Sequence, residues 1–275
     1  NDPARKLPNI ATDRHALAVM VYMYLLYRHP LRGGKVNDLD SAKDEELSMG
    51  EKALFVEHPA DKSNRVKVKD LQPSQLPQGD PTKIPYTVCG PYLKKLFDRA
   101  FIDSLHNPSQ RATAGEWEDA LLKTVDLMQP CQNPKCWHKW FVFDNSTKPK
   151  CPFCGTEYKG TLPVLNLYSS RRANSFTSDD YRLMVYHNQY LYQWHVNRNI
   201  SANEKLTEEQ KKPVGYFVFH NNQWLLINQR LPDLEDKTDG KKVPVGQSIA
   251  LTENRQILLS KEEGGRLIIV QMVKN

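Results

Sequence analysis

Residues 131–155 read Cys131-Gln-Asn-Pro-Lys-Cys136, then fourteen residues, then Cys151-Pro-Phe-Cys154-Gly155. Four of the five cysteines therefore fall within 24 positions, as two close pairs. A tetrahedral metal ion needs two thiolates from each of two tight turns, and this spacing is typical of a four-cysteine Zn²⁺ site. Because four protein ligands leave no open coordination position, we expect the ion to be structural.

The residues around the cysteines predict a small zinc ribbon. Prolines and a glycine beside the cysteines suit turns whose backbone amides point at sulfur. Between the pairs, residues 140–143 (Trp-Phe-Val-Phe) predict a strand and residues 144–149 a turn. Two alternatives remain open: two disulfides, or His138 as a ligand in place of one cysteine.

The length of 275 residues and the 39% hydrophobic content predict more than one compact unit. We expect a multidomain α+β protein: a helical domain (1–127), a zinc ribbon (128–160) and an all-β sandwich (161–275). The net charge of +6 comes from 38 basic and 32 acidic residues of interspersed sign, which indicates only weakly a nucleic-acid or membrane partner. Residues 1–8 resemble neither a signal nor a transit peptide, so we expect a cytoplasmic location and no membrane contact.

Several helices are predicted in the first domain. Residues 15–27 form an apolar run of about 13 residues, too short to span a membrane, which needs roughly 20. We expect a buried helix capped by Thr12-Asp13 at the centre of the domain. A second helix is predicted over residues 45–55, an extended surface segment over 58–83, and an amphipathic helix opened by Gly90-Pro91. Thr113 and Glu116 form a predicted capping box for a helix over residues 116–125.

Two motifs in this domain resemble the large lobe of eukaryotic-like Ser/Thr protein kinases. Asp13, the apolar helix and His29-Pro30-Leu31 resemble the segment D-x-W-S-x-G…G-x-x-P-F that begins the central helix of that lobe. Residues 108–121, with Pro108, Arg111, Thr113, Glu116 and Trp117, are similar to its closing P-x-x-R-P-T-x-x-E-W/L segment. Ala112 replaces the usual proline, and residues 14–16 and 18 depart from V-W-S and glycine.

Other kinase motifs do not occur in this sequence: the Gly-rich loop, the ATP-pairing lysine, H-R-D, D-F-G and A-P-E. We therefore expect that this polypeptide does not transfer phosphate and has no catalytic residues. The resemblance implies partners for Asp13 and Arg111 that are also missing, so both side chains should be solvated or re-paired. Cys89 lies beside Gly90-Pro91 without a nearby base, and we expect it to be a small buried residue.

After Gly160 the sequence consists of short runs of alternating apolar and polar residues, each bounded by turn residues. Such runs predict strands of a sandwich or barrel. The predicted strands are 164–168, 183–186, 190–195, 214–219, 224–227, 248–251, 256–259 and 266–273. Tight hairpins are predicted at Asn221-Asn222 and at Glu253-Asn254, because these residues tolerate positive φ.

The order of these strands resembles a forkhead-associated (FHA) domain. The resemblance implies a phosphothreonine site built from an arginine after a glycine and from an S-R-x-H loop. Arg198 matches the arginine, although Asn197 replaces the glycine, and the loop falls near residues 211–215 without its serine, arginine and histidine. Lys211 and Lys212 are left as candidate point charges for an anion, beside Arg198. We expect a degenerate interaction module.

The three regions in tandem resemble the kinase of bacterial phosphorylation triads associated with tellurite-resistance and stress-response loci. The resemblance implies a von Willebrand A protein and a metal-dependent Ser/Thr protein phosphatase as partners, and a docking role for the ribbon and sandwich. An exposed acid here would complete the magnesium shell of the von Willebrand A protein. The candidates for this contact are Asp144, Asp233, Glu235, Asp236 and Asp239.

The same residues bear on two other functions. Zinc ribbons often bind nucleic acid, and Lys135, Lys139, Lys148 and Lys150 flank the cysteines, which makes a nucleic-acid-binding protein the alternative. A metal-dependent enzyme is disfavoured, because four sulfur ligands leave no position for an activated water.

Overall fold

The computed structural model describes residues 9–36, 38–144, 148–172 and 175–274. It divides the chain into two compact units, residues 1–124 and 125–275. Helices and several antiparallel sheets occur together, as the predicted α+β class requires. The finer division at residues 127 and 160 stays a prediction.

Unit 1 is helical. Its helices are α1 (Ile10–Leu26), α2 (Ser41–Ser48), α3 (Gly90–Asp98) and α4 (Ala114–Val125). Single turns of 3-10 helix lie at Val68–Asp70, Pro73–Gln75, Tyr86–Cys89 and Pro108–Gln110, and a π-helical turn at Arg99–Asp103 continues α3. The second predicted helix is shifted: Asp40 accepts a hydrogen bond from the Ala42 N–H and starts α2 before residue 45.

The cap and the burial of α1 both differ from the prediction. Asn9, not Thr12-Asp13, is the cap, and its side chain accepts a hydrogen bond of 2.8 Å from the Ala11 N–H. Only one stripe of α1 is buried, at spacing i, i+4, i+8: Ala18, Tyr22 and Leu26. The opposite face exposes large apolar side chains beside a groove of about 780 Å³. The expectation of a fully buried central helix is therefore wrong in the described part of unit 1.

Aromatic rings form the core against this buried stripe. The Tyr22 ring lies 5.2 Å from the Phe97 ring and 5.6 Å from the Phe101 ring, both in edge-to-face geometry. These two phenylalanines lie on the predicted apolar face of α3 and its continuation, and Leu93, Leu96 and Ala100 on the same face are buried too. The predicted amphipathic helix is thereby confirmed.

The residues of the kinase-like motifs are re-paired or solvated, as expected. Asp13 is exposed, and Arg111 donates to the carbonyls of Ala11 and Leu105 at 2.8 and 3.1 Å. The capping box is confirmed, because the Thr113 N–H donates to Glu116 at 2.8 Å and the Glu116 N–H to Thr113 at 3.3 Å.

The segment 58–83 is mostly exposed, but one side chain ties it to the core. Asn64 is buried, and its amide donates to the carbonyls of Leu31 and Leu54 at 2.9 and 2.6 Å. This satisfied amide holds three stretches of loop together, which a purely extended surface segment would not do.

Unit 2 is mainly β. A two-stranded sheet pairs β1 (Met128–Pro130) with β2 (Trp140–Val142). The remaining strands are β3 (Thr161–Arg172), β4 (Ser175–Met184), β5 (Tyr190–Leu191), β6 (Gly215–His220), β7 (Gln223–Asn228), β8 (Glu235–Asp236), β9 (Lys241–Lys242), β10 (Ser248–Ala250), β11 (Gln256–Leu258) and β12 (Arg266–Lys274). A short helix, α5 (Gln193–Val196), follows β5.

These strands form two antiparallel sheets that share one hydrophobic core. The strand orders are β4-β3-β12-β11-β8-β9 and β10-β7-β6-β5. Leu165 and Ile268 of the first sheet and Phe217 and Leu226 of the second belong to the same buried cluster. Two antiparallel sheets of unit 2 thus contribute side chains to one buried core.

Three details of the β predictions are corrected. Asn221 and Asn222 turn with positive φ between β6 and β7, as predicted, but Glu253-Asn254 connects β10 and β11, which lie in different sheets. The predicted strand 190–195 ends at Leu191 and continues as α5. The two-residue strands β8 and β9 were not predicted, because two residues carry no alternation pattern.

Among the residues that the structure describes, none of the helices combines the length and the apolar character needed to cross a membrane.

The ion pair Arg28–Glu57 gives a stability prediction for unit 1. Arg28 Nη2 lies 2.5 Å from Glu57 Oε1, with 2% and 10% of the two side chains exposed, and Tyr22 also donates to Glu57. Replacing Glu57 leaves a buried guanidinium without its carboxylate, which typically costs about 3–5 kcal/mol. We expect Glu57→Gln to lower the free energy of unfolding by that amount in urea titrations.

The matched control is Glu46→Gln. Its partner Lys52 lies at 3.2 Å with 61% of its side chain exposed, so this substitution should cost less than about 1 kcal/mol. Equal effects of the two substitutions would contradict the role of Glu57.

Candidate metal centre

The sulfur atoms of Cys131, Cys136, Cys151 and Cys154 all lie within 4.8 Å of one another. Cys131 and Cys154 are 3.6 Å apart, and Cys136 and Cys151 are 3.9 Å apart. Bonds of about 2.3 Å from a tetrahedral zinc place two sulfurs about 3.8 Å apart. The four thiols are thus positioned to bind one metal ion.

The first cysteine pair is positioned by the β1–β2 hairpin. Pro130 lies opposite Trp140 in the register, and the Cys131 N–H donates to the Lys139 carbonyl at 2.7 Å. The Cys136 N–H donates to the Asn133 carbonyl at 2.9 Å, which closes the turn between the two cysteines. The predicted strand after this turn is confirmed over Trp140–Val142.

A second tight turn positions the other pair. The Cys151 N–H donates to the Thr156 carbonyl, and the Gly155 N–H donates to the Cys151 carbonyl, both at 2.9 Å. Gly155 has a φ of 72°, a left-handed conformation that glycine adopts without steric cost. The glycine directly after Cys154 therefore allows the chain to turn around the sulfurs.

Donors around the sulfurs favour negative charge at one of them. The Thr156 hydroxyl and its backbone N–H lower the pKa of Cys154 to about 6. Burial raises the pKa of Cys151 to about 12, although the N–H groups of Cys154 and Phe153 act in the opposite direction. Backbone amides do point at the sulfurs, as the turn residues predicted.

Both alternatives for the cysteines can be compared with the geometry. All four thiols are free, and their spacing exceeds the 2.05 Å of a disulfide bond. The His138 ring stacks on the Phe153 ring at 3.7 Å and lies outside the four-sulfur group. The four-cysteine ligand set is therefore the arrangement that the structure supports.

The ribbon is fastened to the sandwich inside unit 2. Gln129 is fully buried and donates to the Val185 carbonyl at 3.2 Å. Arg182 of β4 pairs with Asp144 at 3.0 Å, directly after β2. Residues 145–147 of the predicted turn lie outside the described residues. These two contacts join the cysteine hairpin to the larger sheets of unit 2.

The five candidate docking acids have different surroundings. Asp144 pairs with Arg182, and Glu235 pairs with Lys237 and Lys261 at 2.9 and 3.0 Å. Asp236 is buried and pairs with Arg255 at 3.1 Å.

Asp239 is the most exposed of the five acids. Asp239 lies 3.5 Å from Arg255 but keeps 47% of its side chain exposed, and Asp233 is half-buried. Asp239 lies in the turn that connects β8 to β9, not in a loop spanning residues 233–239, because Glu235 and Asp236 form β8.

The three candidate anion-binding residues each have an acidic neighbour. Arg198 donates to the Ser169 hydroxyl at 3.2 Å and lies 3.9 Å from Asp179. Lys211 pairs with Glu208 at 2.9 Å and Lys212 with Glu209 at 2.6 Å. These ion pairs reduce the positive charge that the three residues can offer to an anion.

Two residues that support the site were not found from the sequence. Thr156 bonds Cys154, and Gln129 ties the ribbon to the sandwich. The threonine follows Cys154 by two residues, so the spacing of a turn donor could have indicated it. The role of Gln129 depends on a contact 56 residues away and leaves no local signal.

No family model and no curated protein matches the sequence. Solved structures of a yeast protein show a weak likeness. The crystal structure of full-length yeast Pml1p is 13% identical, with a TM-score of 0.27, and the match covers 41% of this chain and 83% of that one. The structure of the yeast Pml1 splicing factor and its integration into the RES complex is 12% identical, with a TM-score of 0.27, covering 47% and 93%. At this TM-score neither likeness carries an argument about this chain.

The metal centre predicts a contrast between two buried cysteines. Cys136→Ser should remove bound metal, because it takes one of four thiolates from the site. Cys89→Ser should leave the metal content unchanged, because burial raises the pKa of the Cys89 thiol to about 12 and it lies outside the four-sulfur group. Elemental analysis of the purified variants measures the metal per chain. A full equivalent of metal in Cys136→Ser would contradict the assignment.

Proposed function

We propose that this chain is a non-catalytic docking region of a bacterial Ser/Thr protein kinase, in which a structural Zn²⁺ holds a ribbon against an FHA-like sandwich. The observation that carries the proposal is the closed group of four sulfurs at tetrahedral spacing. Four thiolate ligands leave no place for substrate or water, so such an ion stabilises structure and supplies no reaction chemistry.

The zinc assignment is supported by the donor set. Four thiolates in a tetrahedron suit zinc or an iron–sulfur centre. The sulfurs at 3.6 and 3.9 Å leave room between them for a single ion with bonds of about 2.3 Å. Cys131, Cys136, Cys151 and Cys154 would hold the ion, and its role would be to fold the ribbon.

Two features of unit 1 support an origin in a kinase large lobe. The capping box at Thr113–Glu116 and the helix that follows it form as the kinase-like motif implies. The exposed apolar face of α1, with Met20, Met23 and Tyr24, is a surface that further protein would cover. In the proposal, the protein that covers this face of α1 is the remainder of a kinase lobe.

The chain has no catalytic role in this proposal. Cys89, the one cysteine outside the four-sulfur group, is buried, and burial raises its pKa to about 12. A thiol of that pKa is protonated at neutral pH and is a poor nucleophile.

The docking partner in this proposal is a von Willebrand A protein, and a metal-dependent Ser/Thr protein phosphatase belongs to the same system. An exposed carboxylate can complete the coordination shell of a magnesium ion held by the partner. The exposed carboxylate of Asp239 favours the β8–β9 turn over Asp144 for this contact.

The test is binding of the chain to a von Willebrand A protein of such a locus in the presence of Mg²⁺. Asp239→Asn should weaken the complex at least tenfold, because the amide is a poorer magnesium ligand than the carboxylate. Affinity is measured by titration calorimetry.

Asp180→Asn is the matched control. Asp180 is an exposed acid on β4, at the opposite edge of the same sheet from β8 and β9, and asparagine tolerates its φ of 47°. Equal affinity of Asp239→Asn and wild type would place the contact elsewhere, and no complex with the wild type would contradict the docking role.

A nucleic-acid-binding ribbon is the second candidate, and one observation favours it. Trp137 is 71% exposed on the turn after Cys136, and Lys135 and Lys139 are exposed beside it. An exposed aromatic ring between cations is typical of surfaces on which single-stranded bases stack.

This candidate predicts that the chain binds a decathymidylate and that the affinity falls with salt concentration. The change in tryptophan fluorescence on titration measures this affinity. Lys135→Ala should reduce the slope of log affinity against log salt by about 0.7, the value for one contact to a single strand. Lys211→Ala should leave this slope unchanged, because Lys211 is paired with Glu208. Absence of binding at low salt would eliminate the candidate.

A further inference from the structure

Five aromatic side chains of unit 2, here called the aromatic row, form two groups of contacting rings: Trp140 with Tyr186, and Tyr192 with Tyr190 and Trp194. Strand alternation builds one end of it, because Tyr190 and Tyr192 point away from the core that buries Leu191 between them. The Tyr192 and Trp194 rings are stacked at 4.3 Å, and the Tyr190 and Tyr192 rings are 6.3 Å apart.

The ribbon contributes the other end of the row. The Trp140 ring of β2 meets the Tyr186 ring edge-on at 5.0 Å. A single tight turn, in which the Gln189 N–H donates to the Tyr186 carbonyl at 3.2 Å, separates Tyr186 from Tyr190. The row therefore runs from the metal-stabilised hairpin to the edge strand β5.

The row is open to solvent. Tyr190 is 50% exposed and Trp140 is 37% exposed, and the other three rings are half-buried. Clustered aromatic rings that are only partly covered mark a binding surface more often than isolated exposed residues do.

Hydroxyl and indole N–H groups at the ends of these side chains are available to donate hydrogen bonds to a ligand. Across the described ranges, no protein partner is found for the hydroxyls of Tyr186 and Tyr190 or for the indole N–H groups of Trp140 and Trp194. All four groups can donate, and the two indoles can only donate.

Two carboxylates near the row already have protein partners. Asp126 accepts hydrogen bonds from Tyr181 and from His195, and Asp144 pairs with Arg182. The row itself contains no charged side chain. An uncharged ligand therefore matches the five rings better than a strongly charged one, such as a phosphopeptide or a nucleic acid.

We propose that this aromatic row binds a proline-rich segment of another protein in the polyproline II conformation. Such a segment has no internal hydrogen bonds, so its carbonyls are free acceptors for the tyrosine hydroxyls and indole N–H groups. Its proline rings pack on flat aromatic side chains, and its low conformational entropy reduces the cost of binding. The inference does not rest on the proposed kinase or von Willebrand A role, because it concerns a different surface.

The test is titration of the whole zinc-loaded chain with a deca-proline peptide, followed by calorimetry and tryptophan fluorescence. We expect saturable binding, and a Gly-Ser decapeptide of equal length should not bind. Tyr190→Ala should weaken binding at least tenfold, which corresponds to about 1.4 kcal/mol. Tyr190→Phe keeps the ring and loses only the hydroxyl, so it should weaken binding less.

Trp137→Ala is the matched control, because Trp137 is an exposed ribbon tryptophan outside the row. It should leave peptide affinity unchanged, whereas Trp140→Ala should reduce it. Thermal melting checks that each variant is folded. If Tyr190→Ala does not fold, the affinity of Tyr190→Phe is compared with that of the wild type instead.

Three results would overturn the inference. The first is no saturable binding of deca-proline up to millimolar concentration. The second is binding that neither Tyr190 nor Trp140 substitutions affect. The third is saturable binding of a decathymidylate that depends on Tyr190, which would assign the row to nucleic acid.

Discussion

The convergence of four sulfur atoms within 4.8 Å is the constraint on which the first part of unit 2 depends. In the described part of residues 128–160, the strands β1 and β2 have three residues each, and Phe141 and Phe143 are among the buried apolar side chains. A core of that size contributes little against the conformational entropy of the chain. Metal ligation supplies the missing stabilisation in such small modules, because the bound ion fixes both turns at once.

Buried polar groups then hold unit 2 together. Asp126 accepts hydrogen bonds from Tyr181 and from His195, and Arg266 donates to Asp179 at 2.8 Å. Removing one partner of a buried pair typically lowers the free energy of unfolding by about 3–5 kcal/mol. An exposed pair such as Lys211–Glu208 contributes less than about 1 kcal/mol. The buried network, not the many surface ion pairs, therefore fixes the geometry that presents the aromatic row.

Unit 1 combines a buried aromatic core with an exposed apolar helix face. Its aromatic core is packed around Tyr22, and Arg28 and Glu57 neutralise each other beside it. The other face of α1 exposes methionine and tyrosine side chains to water. Methionine side chains are flexible and polarisable, and they adapt to a partner surface at low cost. Unit 1 thus has a well-formed core together with an apolar face that is unusual for an isolated domain.

The sequence by itself determined the features with local causes. Cysteine spacing defined the metal site, the Thr113–Glu116 pair defined the start of α4, and alternation located most strands. Only the tertiary structure decided which strands share a sheet, as the link at Glu253-Asn254 shows, and which face of α1 is buried. It also decided which candidate acids are already paired, because Asp144 and Asp236 meet arginines 38 and 19 residues away in sequence. Sheet membership, burial and ion pairing depend on contacts between distant residues, and no local pattern encodes them.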